Sequence, residues 1–397
     1  MRPDGARYRY IDTAGGLETL GRKIAAAGRV AVDTEADSLH SYFEKVCLIQ
    51  LTAEGENFVL DPLAGLELTG FFRLLAEKNL IFHGGDYDLR MLASGFGFRP
   101  RGEVFDTGIA ARLLGYRKLG LAALAEELLG VVLGKGGQKF NWARRPLPEE
   151  KIVYAVNDTR YLEPLADILL DRLRESGREE WARESCRALV RETGRPKPDP
   201  DPDRVWRIKG LKDLSREELA LVRALWHWRE EEARRADIPP FKVLGNQPLI
   251  ALALWLRRHP DLPVTRGPKL PRTCRGERLR KLSAAVAAAR QLPPGRRPFH
   301  PERKPPPPRV PGENERYQLL RERVAETARR LGLPASVVAP QAALRAIARE
   351  NPAGIAGMME AGGLTSWQAR LVAEGASWEN RQPPEAVFRC RSDGGCL

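Results

Sequence analysis

Four acidic positions and one tyrosine carry the chemistry this sequence offers. Asp33-Thr34-Glu35 sets two carboxylates two residues apart behind the apolar run Val30-Ala31-Val32. In an extended segment such a pair points to one side and can grip one ion together. Asp88 follows the apolar run Leu80-Ile81-Phe82 and the turn His83-Gly84-Gly85-Asp86-Tyr87. That places it in the first turn of a helix at a strand's carboxyl edge, where sites form in open sheets. Tyr154 and Asp158 are four apart in a helical segment from Glu149 to Leu162 and share one face. Singly, each has a plain reading: a chance Asp-x-Glu among 52 acids, an acid favoured by a helix dipole, a half-buried Tyr beside a solvated Asp. Together, four converging carboxylates repel and are driven toward protonation unless cations are present. An all-oxygen donor set without His or Cys suits Mg²⁺ or Mn²⁺. Two such ions about 3.5–4 Å apart can clamp both sides of an in-line phosphodiester displacement. His83 reads as a hydrogen-bonded residue under the sheet edge rather than a ligand.

The elements that must hold these residues follow from patterning. Residues 1–195 alternate short β-branched runs with helical periodicity, as in a mixed or parallel sheet flanked by helices. Val30–Val32 reads as a short buried strand. Val46–Thr52 and Asn57–Leu60 read as a hairpin around Glu54-Gly55-Glu56, and Leu80–Phe82 as a further strand. Helices are expected from Asp86, Asp106, Leu121 and Glu149, the first two opening on an aspartate able to cap orphan N–H groups. The alternating prolines of Gly194–Asp203 make an extended linker, and Pro293–Gly312 a second break that reads as a spacer. Between and beyond them lie two helical modules, 204–292 and 313–380, then a tail at 381–397. Arg234-Arg235-Ala236-Asp237-Ile238-Pro239 with Val243 recurs as Arg329-Arg330-Leu331-Gly332-Leu333-Pro334 with Val338, so the modules read as a repeat.

In chain order the acidic set resembles the DEDD exonucleases, whose tyrosine-bearing branch carries Asp-x-Glu, a later Asp, and Tyr-x-x-x-Asp. Gln138-Lys-Phe-Asn-Trp-Ala-Arg-Arg-Pro-Leu147, then Tyr154-Ala155-Val156-Asn157-Asp158 and Tyr161-Leu162, is similar to the ribonuclease D family in particular. The resemblance covers roughly residues 8–190 and implies an α/β ribonuclease H-like exonuclease domain. It implies that Asp33 bridges two metal ions, Glu35 and Asp158 complete the nucleophile-side site, and Asp88 supports the leaving-group side. Tyr154 would orient the attacking water; with a reference pKa of about 10 it is a poor base at neutral pH, so the metal must acidify that water. Nucleoside 5′-monophosphates would leave from the 3′ end. Gln138, Asn141, Trp142 and Arg145, just before the catalytic helix, are candidates to hold the terminal nucleotides; the alternative is a loop packed by Trp142 with solvated arginines. Trp206-Arg207-Ile208-Lys209-Gly210 with Leu225, Trp228, Arg229 and Ile238-Pro239 resembles the HRDC domain, and the second module is a more degenerate copy in which Trp367 and Trp378 stand isolated.

Charge divides along the same lines. Residues 1–200 hold 29 Lys and Arg against 30 Asp and Glu, whereas the remainder holds 36 against 22. A basic half joined to a near-neutral one suits a polyanion held by one part and processed by another. Lys269, Arg272, Arg275, Arg278, Arg280 and Lys281 form the densest basic stretch and are expected to grip the body of a structured RNA. The expected partner is RNA with a 3′ tail, with tRNA precursors implied by the family, and the chain is expected to act as a monomer. Gly130 to Gly136 lacks the spacing and Ser/Thr of a P-loop, and Gly95-x-Gly97 does not continue to a dinucleotide fingerprint, so no nucleotide cofactor is expected. The longest apolar run, Leu249–Leu256, is too short for a membrane span, and the start lacks an apolar leader, so the expected location is the cytoplasm. Five scattered cysteines without C-x-x-C read as reduced thiols. Two rival readings share these residues: a DNA exonuclease of repair type, and a non-catalytic RNA-binding module keeping a relic site.

Overall fold

A computed structural model describes residues 7–134, 136, 139–195, 201–202, 204–300 and 310–374. Residues 8–193 carry β1 (Tyr8–Ile11), α1 (Ala14–Ala26), β2 (Arg29–Ala36), β3 (Val46–Ala53), β4 (Glu56–Leu60), α2 (Thr69–Ala76), β5 (Asn79–Phe82), α3 (Asp86–Phe96), β6 (Val104–Asp106), α4 (Thr107–Leu113), α5 (Leu121–Leu129), α6 (Glu149–Arg160), α7 (Leu162–Glu175) and α8 (Glu179–Thr193). Six strands form one mixed sheet in the order β1-β4-β3-β2-β5-β6. β2, β3 and β4 pair antiparallel, while β1 with β4, β2 with β5 and β5 with β6 pair parallel. The expected hairpin joins β3 to β4 through Glu54 and Gly55, both at positive φ (49° and 72°), as a two-residue turn between right-twisted strands requires.

The structure lengthens and adds strands relative to the sequence reading. β2 runs on through Ala36 because β3 pairs with it from Thr52 down to Val46, so Asp33 and Glu35 lie inside a strand rather than at its end. The short edge strands β1 and β6 have too few residues to show a period. Asp86 does not cap α3: the cap position is Gly85, and Asp86 pairs with Arg90 at 2.9 Å. Asp106 does cap α4, its Oδ1 accepting from the Ile109 N–H at 2.9 Å.

One face of the sheet packs on α1, α2 and α3 through Val30, Val32, Ile49, Leu51, Leu80 and Phe82. The opposite face receives α6 through Leu48 and Val59 against Trp142, Ile152, Ala155 and Val156, and α7 through Ala31 and Ile81 against Leu162 and Ala166. The two faces follow from strand alternation.

The helical part contains α9 (Arg216–Ala236), α10 (Pro240–Val243), α11 (Asn246–Arg258), α12 (Glu277–Arg290), α13 (Glu313–Leu331), α14 (Ala335–Val338), α15 (Gln341–Glu350), α16 (Gly354–Gly362) and α17 (Ser366–Ala373). The sequence repeat is a structural one. α9 and α13 each end on a left-handed residue, Asp237 (φ 45°) and Gly332 (φ 66°). The next N–H in each case, of Ile238 or Leu333, turns back to the carbonyl of Ala233 or Ala328. A Pro-capped helix of one turn follows and buries Val243 or Val338.

The described residues fall into two compact units. One takes in those of Met1–Ala110, Lys118–Arg172 and Cys186–Pro307; the other those of Ala111–Arg117, Leu173–Ser185 and Pro308–Leu397. In the second unit Trp367 is not isolated: it is buried and stacks on Trp181 with centroids 4.7 Å apart. The Glu184 carboxylate accepts from the Ser366 hydroxyl and from the N–H groups of Ser366 and Trp367, holding the start of α17. Trp378 lies outside the described residues. Among the described residues no helix is long and apolar enough to cross a membrane, and Cys47, Cys186 and Cys274 are buried free thiols.

Candidate active site

β2 pairs with β5 only through Arg29, Val30 and Ala31, and then projects beyond it. The free edge of that projection is used by Asp88: its Oδ1 accepts from the Thr34 N–H at 3.1 Å and from the Thr34 hydroxyl at 2.6 Å. Asp88 reaches this point because α3 starts close against β5. Gly84 takes φ 69°, and a Cβ on Gly85 would lie 2.7 Å from Phe82 Cβ. The Gly85 N–H is held by Asp106 Oδ2 at 2.8 Å, so the buried Asp106 fastens the turn that carries Asp88.

On the α6 face Asp33 and Glu35 meet Asp158, and one oxygen from each of the three carboxylates lies within 4.8 Å of the others. Bonds at both ends fix the helix that delivers Asp158. Tyr8 donates to Glu149 at 2.7 Å, and Thr159 is hydrogen-bonded to Thr52 at 2.9 Å. Tyr154, one turn before Asp158, rests its ring on buried Trp142 with centroids 6.4 Å apart and planes at 29°. The structure thus brings Asp33, Glu35 and Asp158 into one cluster, with Asp88 tied to the residue between the first two and Tyr154 on the same helix face as Asp158.

The electrostatics are those of a site short of positive charge. Burial, followed by the charges of Asp88, Asp158 and Glu35, pushes the Asp33 carboxyl well above the usual range. Burial and then Asp158 and Asp88 push Glu35 up to about 8. Asp158 is raised to about 7 by burial and by Asp88. Asp88 is raised to about 6 by burial, which outweighs the opposing bonds from Thr34. Clustered acids that resist ionisation alone, with only oxygen donors, fit hard divalent cations.

In the loop before α6 the structure has the packing that the second of the two readings gave it, with Trp142 in the core. Every guanidinium N–H of Arg145 is committed within the fold: two to the Asp61 carboxylate (2.5 and 2.6 Å), and one each to the carbonyls of Trp142 (2.7 Å), Arg144 (2.8 Å) and Cys47 (2.8 Å). Arg145 thus fastens the loop from a position that keeps some solvent exposure, with its guanidinium donors engaged within the fold. Trp142 is 1% exposed and belongs to the core under α6, so it supports Tyr154 instead of reaching a nucleotide. Asn141 stays partly exposed, its Oδ1 accepting from the Ala143 N–H at 3.1 Å; Gln138 lies outside the described residues. In the basic stretch Lys269, Arg272 and Arg275 are exposed. Arg278 is not available in the same way: it pairs at 2.9 Å with Glu232, a carboxylate buried in the helical core. His83 takes its expected part, with Nδ1 2.8 Å from the Thr107 hydroxyl. Sequence reasoning missed Thr34, Asp106 and the Asp61–Arg145 pair, whose partners are 21 to 84 residues distant and leave no local pattern.

A mixed sheet with an acidic cluster on the part of β2 that projects beyond β5, followed by small helical modules, defines the class. Residues 8–174 match the family model described as 3′-5′ exonuclease, and residues 218–260 and 313–375 match the HRDC domain. The chain is 33% identical over 262 residues to the ribonuclease D of Zymomonas mobilis, an alignment covering 63% of this chain and 65% of that relative. It is 31% identical to that of Gluconacetobacter diazotrophicus, covering 67% and 68%. The crystal structure of Escherichia coli RNase D superposes with a TM-score of 0.65 at 24% identity, over 93% of this chain and 99% of that one. The chain belongs to the ribonuclease D family, and residues 8–174 are a 3′-5′ exonuclease domain.

Proposed function

We propose that this protein is a 3′→5′ exoribonuclease that hydrolyses RNA from the 3′ end with two divalent ions, Mg²⁺ or Mn²⁺, releasing nucleoside 5′-monophosphates. The observation that carries this reading is the Asp33–Glu35–Asp158 cluster, three carboxylates whose oxygens converge within 4.8 Å and whose affinities for protons are raised together. Asp33 would serve both ions, Glu35 and Asp158 the one beside the attacking water, and Asp88 the one beside the departing 3′-oxygen. When bound, such ions acidify water and offset charge on the phosphoryl oxygens. Tyr154, braced by Trp142, would orient the attacking water through its hydroxyl, and the metal rather than the phenol would account for deprotonation. The exposed Lys269, Arg272 and Arg275 would hold the backbone of a structured RNA with a 3′ tail, of which tRNA precursors are one kind, without reading its sequence. Action as a monomer in the cytoplasm belongs to the same reading.

The test is digestion of a 5′-labelled single-stranded RNA and its DNA counterpart with Mg²⁺, with Mn²⁺ and with chelator, beside Asp33→Asn. A metal-dependent ladder shortening from the 3′ end of RNA, missing in the variant, is expected. A preference for DNA would replace the reading with a repair exonuclease, and RNA binding without cleavage of either substrate would replace it with a binding module. Neutralising Lys269, Arg272 and Arg275 together is expected to flatten the salt dependence of RNA affinity, by about 0.7 in log–log slope for each phosphate of a single strand that is no longer neutralised.

A further inference from the structure

Gln50 sits on β3 directly across from Asp33. Opposed residues of an antiparallel pair point to the same face, with Cβ atoms about 4.5–5.5 Å apart. The side chain is 0% exposed, and neither its Oε1 nor its Nε2 has a hydrogen-bond partner in the protein. Its neighbours on that face are provided for: Leu48 packs in the core under α6, and Thr52 bonds to Asn57 and Thr159. A buried amide left without partners weakens a fold, and an apolar side chain of the same shape removes that cost. The position therefore holds a group the resting fold does not use, facing the acid at the centre of the cluster.

We propose that Gln50 is a positioning residue for the metal-loaded site, its Nε2–H donating to the Asp33 carboxylate and fixing which oxygen Asp33 turns toward the ions. The Oε1 then accepts from water in the ions' hydration shell. Carboxylates that hold metals are oriented in this way by partners outside the coordination sphere. The inference rests on the metal-dependent reading given under Proposed function.

The test uses the full chain, with Gln50→Leu and, as a flexible substitute, Gln50→Met. Two quantities are read: the melting temperature in chelator, and Mn²⁺ affinity by titration calorimetry. The two should move apart. In chelator each variant melts at or above the wild-type temperature, while Mn²⁺ binds about 10–100-fold more weakly. A purely structural glutamine would give the reverse, a lower melting temperature with unchanged Mn²⁺ affinity, and that result overturns the proposal. If the wild-type chain binds Mn²⁺ and shortens RNA while both variants bind Mn²⁺ equally well, the Gln50 role alone fails. If the wild-type chain binds no Mn²⁺, the metal-dependent reading fails and takes the Gln50 role with it.

Discussion

Asp61 is a buried carboxylate and the Asp33–Glu35–Asp158 group a half-buried one, and the chain treats them in opposite ways. Burial would raise the Asp61 pKa, but hydrogen bonds from Arg145 and Tyr10 and the Arg145 charge bring it below the ordinary value. Asp37 is treated similarly: burial is outweighed by bonds from the Lys45 ammonium, the Ser41 hydroxyl and the Lys45 N–H. The clustered acids receive no such cation from the chain among the described residues, and their pKa values rise instead. Asp61 and Asp37 thus have a counter-charge within the fold, whereas the clustered acids have none among the described residues.

The largest effect expected from this contrast is at Asp33. Asp33→Asn should lower RNA cleavage by more than the roughly 100-fold typical of changes outside a coordination sphere. The same variant should melt higher than wild type in chelator, because one of the mutually repelling acids is gone. Cleavage kinetics and calorimetry check the two halves, and a variant less stable than wild type in chelator would undo the comparison. At the self-neutralised site the sign reverses: Arg145→Met leaves buried Asp61 with hydrogen bonds from Tyr10 and the Leu63 N–H but without a counter-charge, and should cost roughly 3 kcal/mol in denaturant unfolding, the low end for breaking a buried pair because Arg145 keeps some solvent exposure.

The pH dependence separates the two groups without mutation. Glu35, Asp158 and Asp88 have folded pKa values of about 8, 7 and 6, above those of the unfolded chain, so the folded state holds more protons. Their contribution to stability is complete below about pH 4 and is lost as the pH rises through those values. Asp61 and Asp37 are depressed, so theirs is present above about pH 4 and is lost as the pH falls through their folded values. In chelator, then, stability should decline between about pH 5 and 8. Saturating Mn²⁺ should flatten that decline, since binding grows as the acids ionise. Melting curves across this range with and without Mn²⁺ measure it, and a decline equal in both conditions would contradict the assignment. The smallest effect is expected at Asp237, which takes the left-handed turn filled by glycine in the second module and accepts from the Tyr42 and Phe43 N–H groups at 3.0 Å each. Asp237→Gly relieves the backbone and loses both bonds, for a net cost of about 1 kcal/mol, readable by urea unfolding.

The acids were legible in the sequence because each lies beside an apolar run whose period fixes its face: Asp33 and Glu35 two apart in a strand, Tyr154 and Asp158 one turn apart in a helix. The helical repeat was legible as well, because its turns rely on local backbone preferences that recur in the residue types. What the sequence could not assign was the service of single side chains whose partners are remote. Arg145 carries the same charge whether it meets a phosphate or Asp61, and only the fold, by bringing Asp61 and the Cys47 carbonyl to it, engaged the three donors that the nearby carbonyls of Trp142 and Arg144 leave. Trp142 became a brace and Arg278 an ion-pair partner for the same reason. Local periodicity determines which face a residue occupies, whereas what waits on that face is decided by strand order and helix docking, which join residues tens of positions apart.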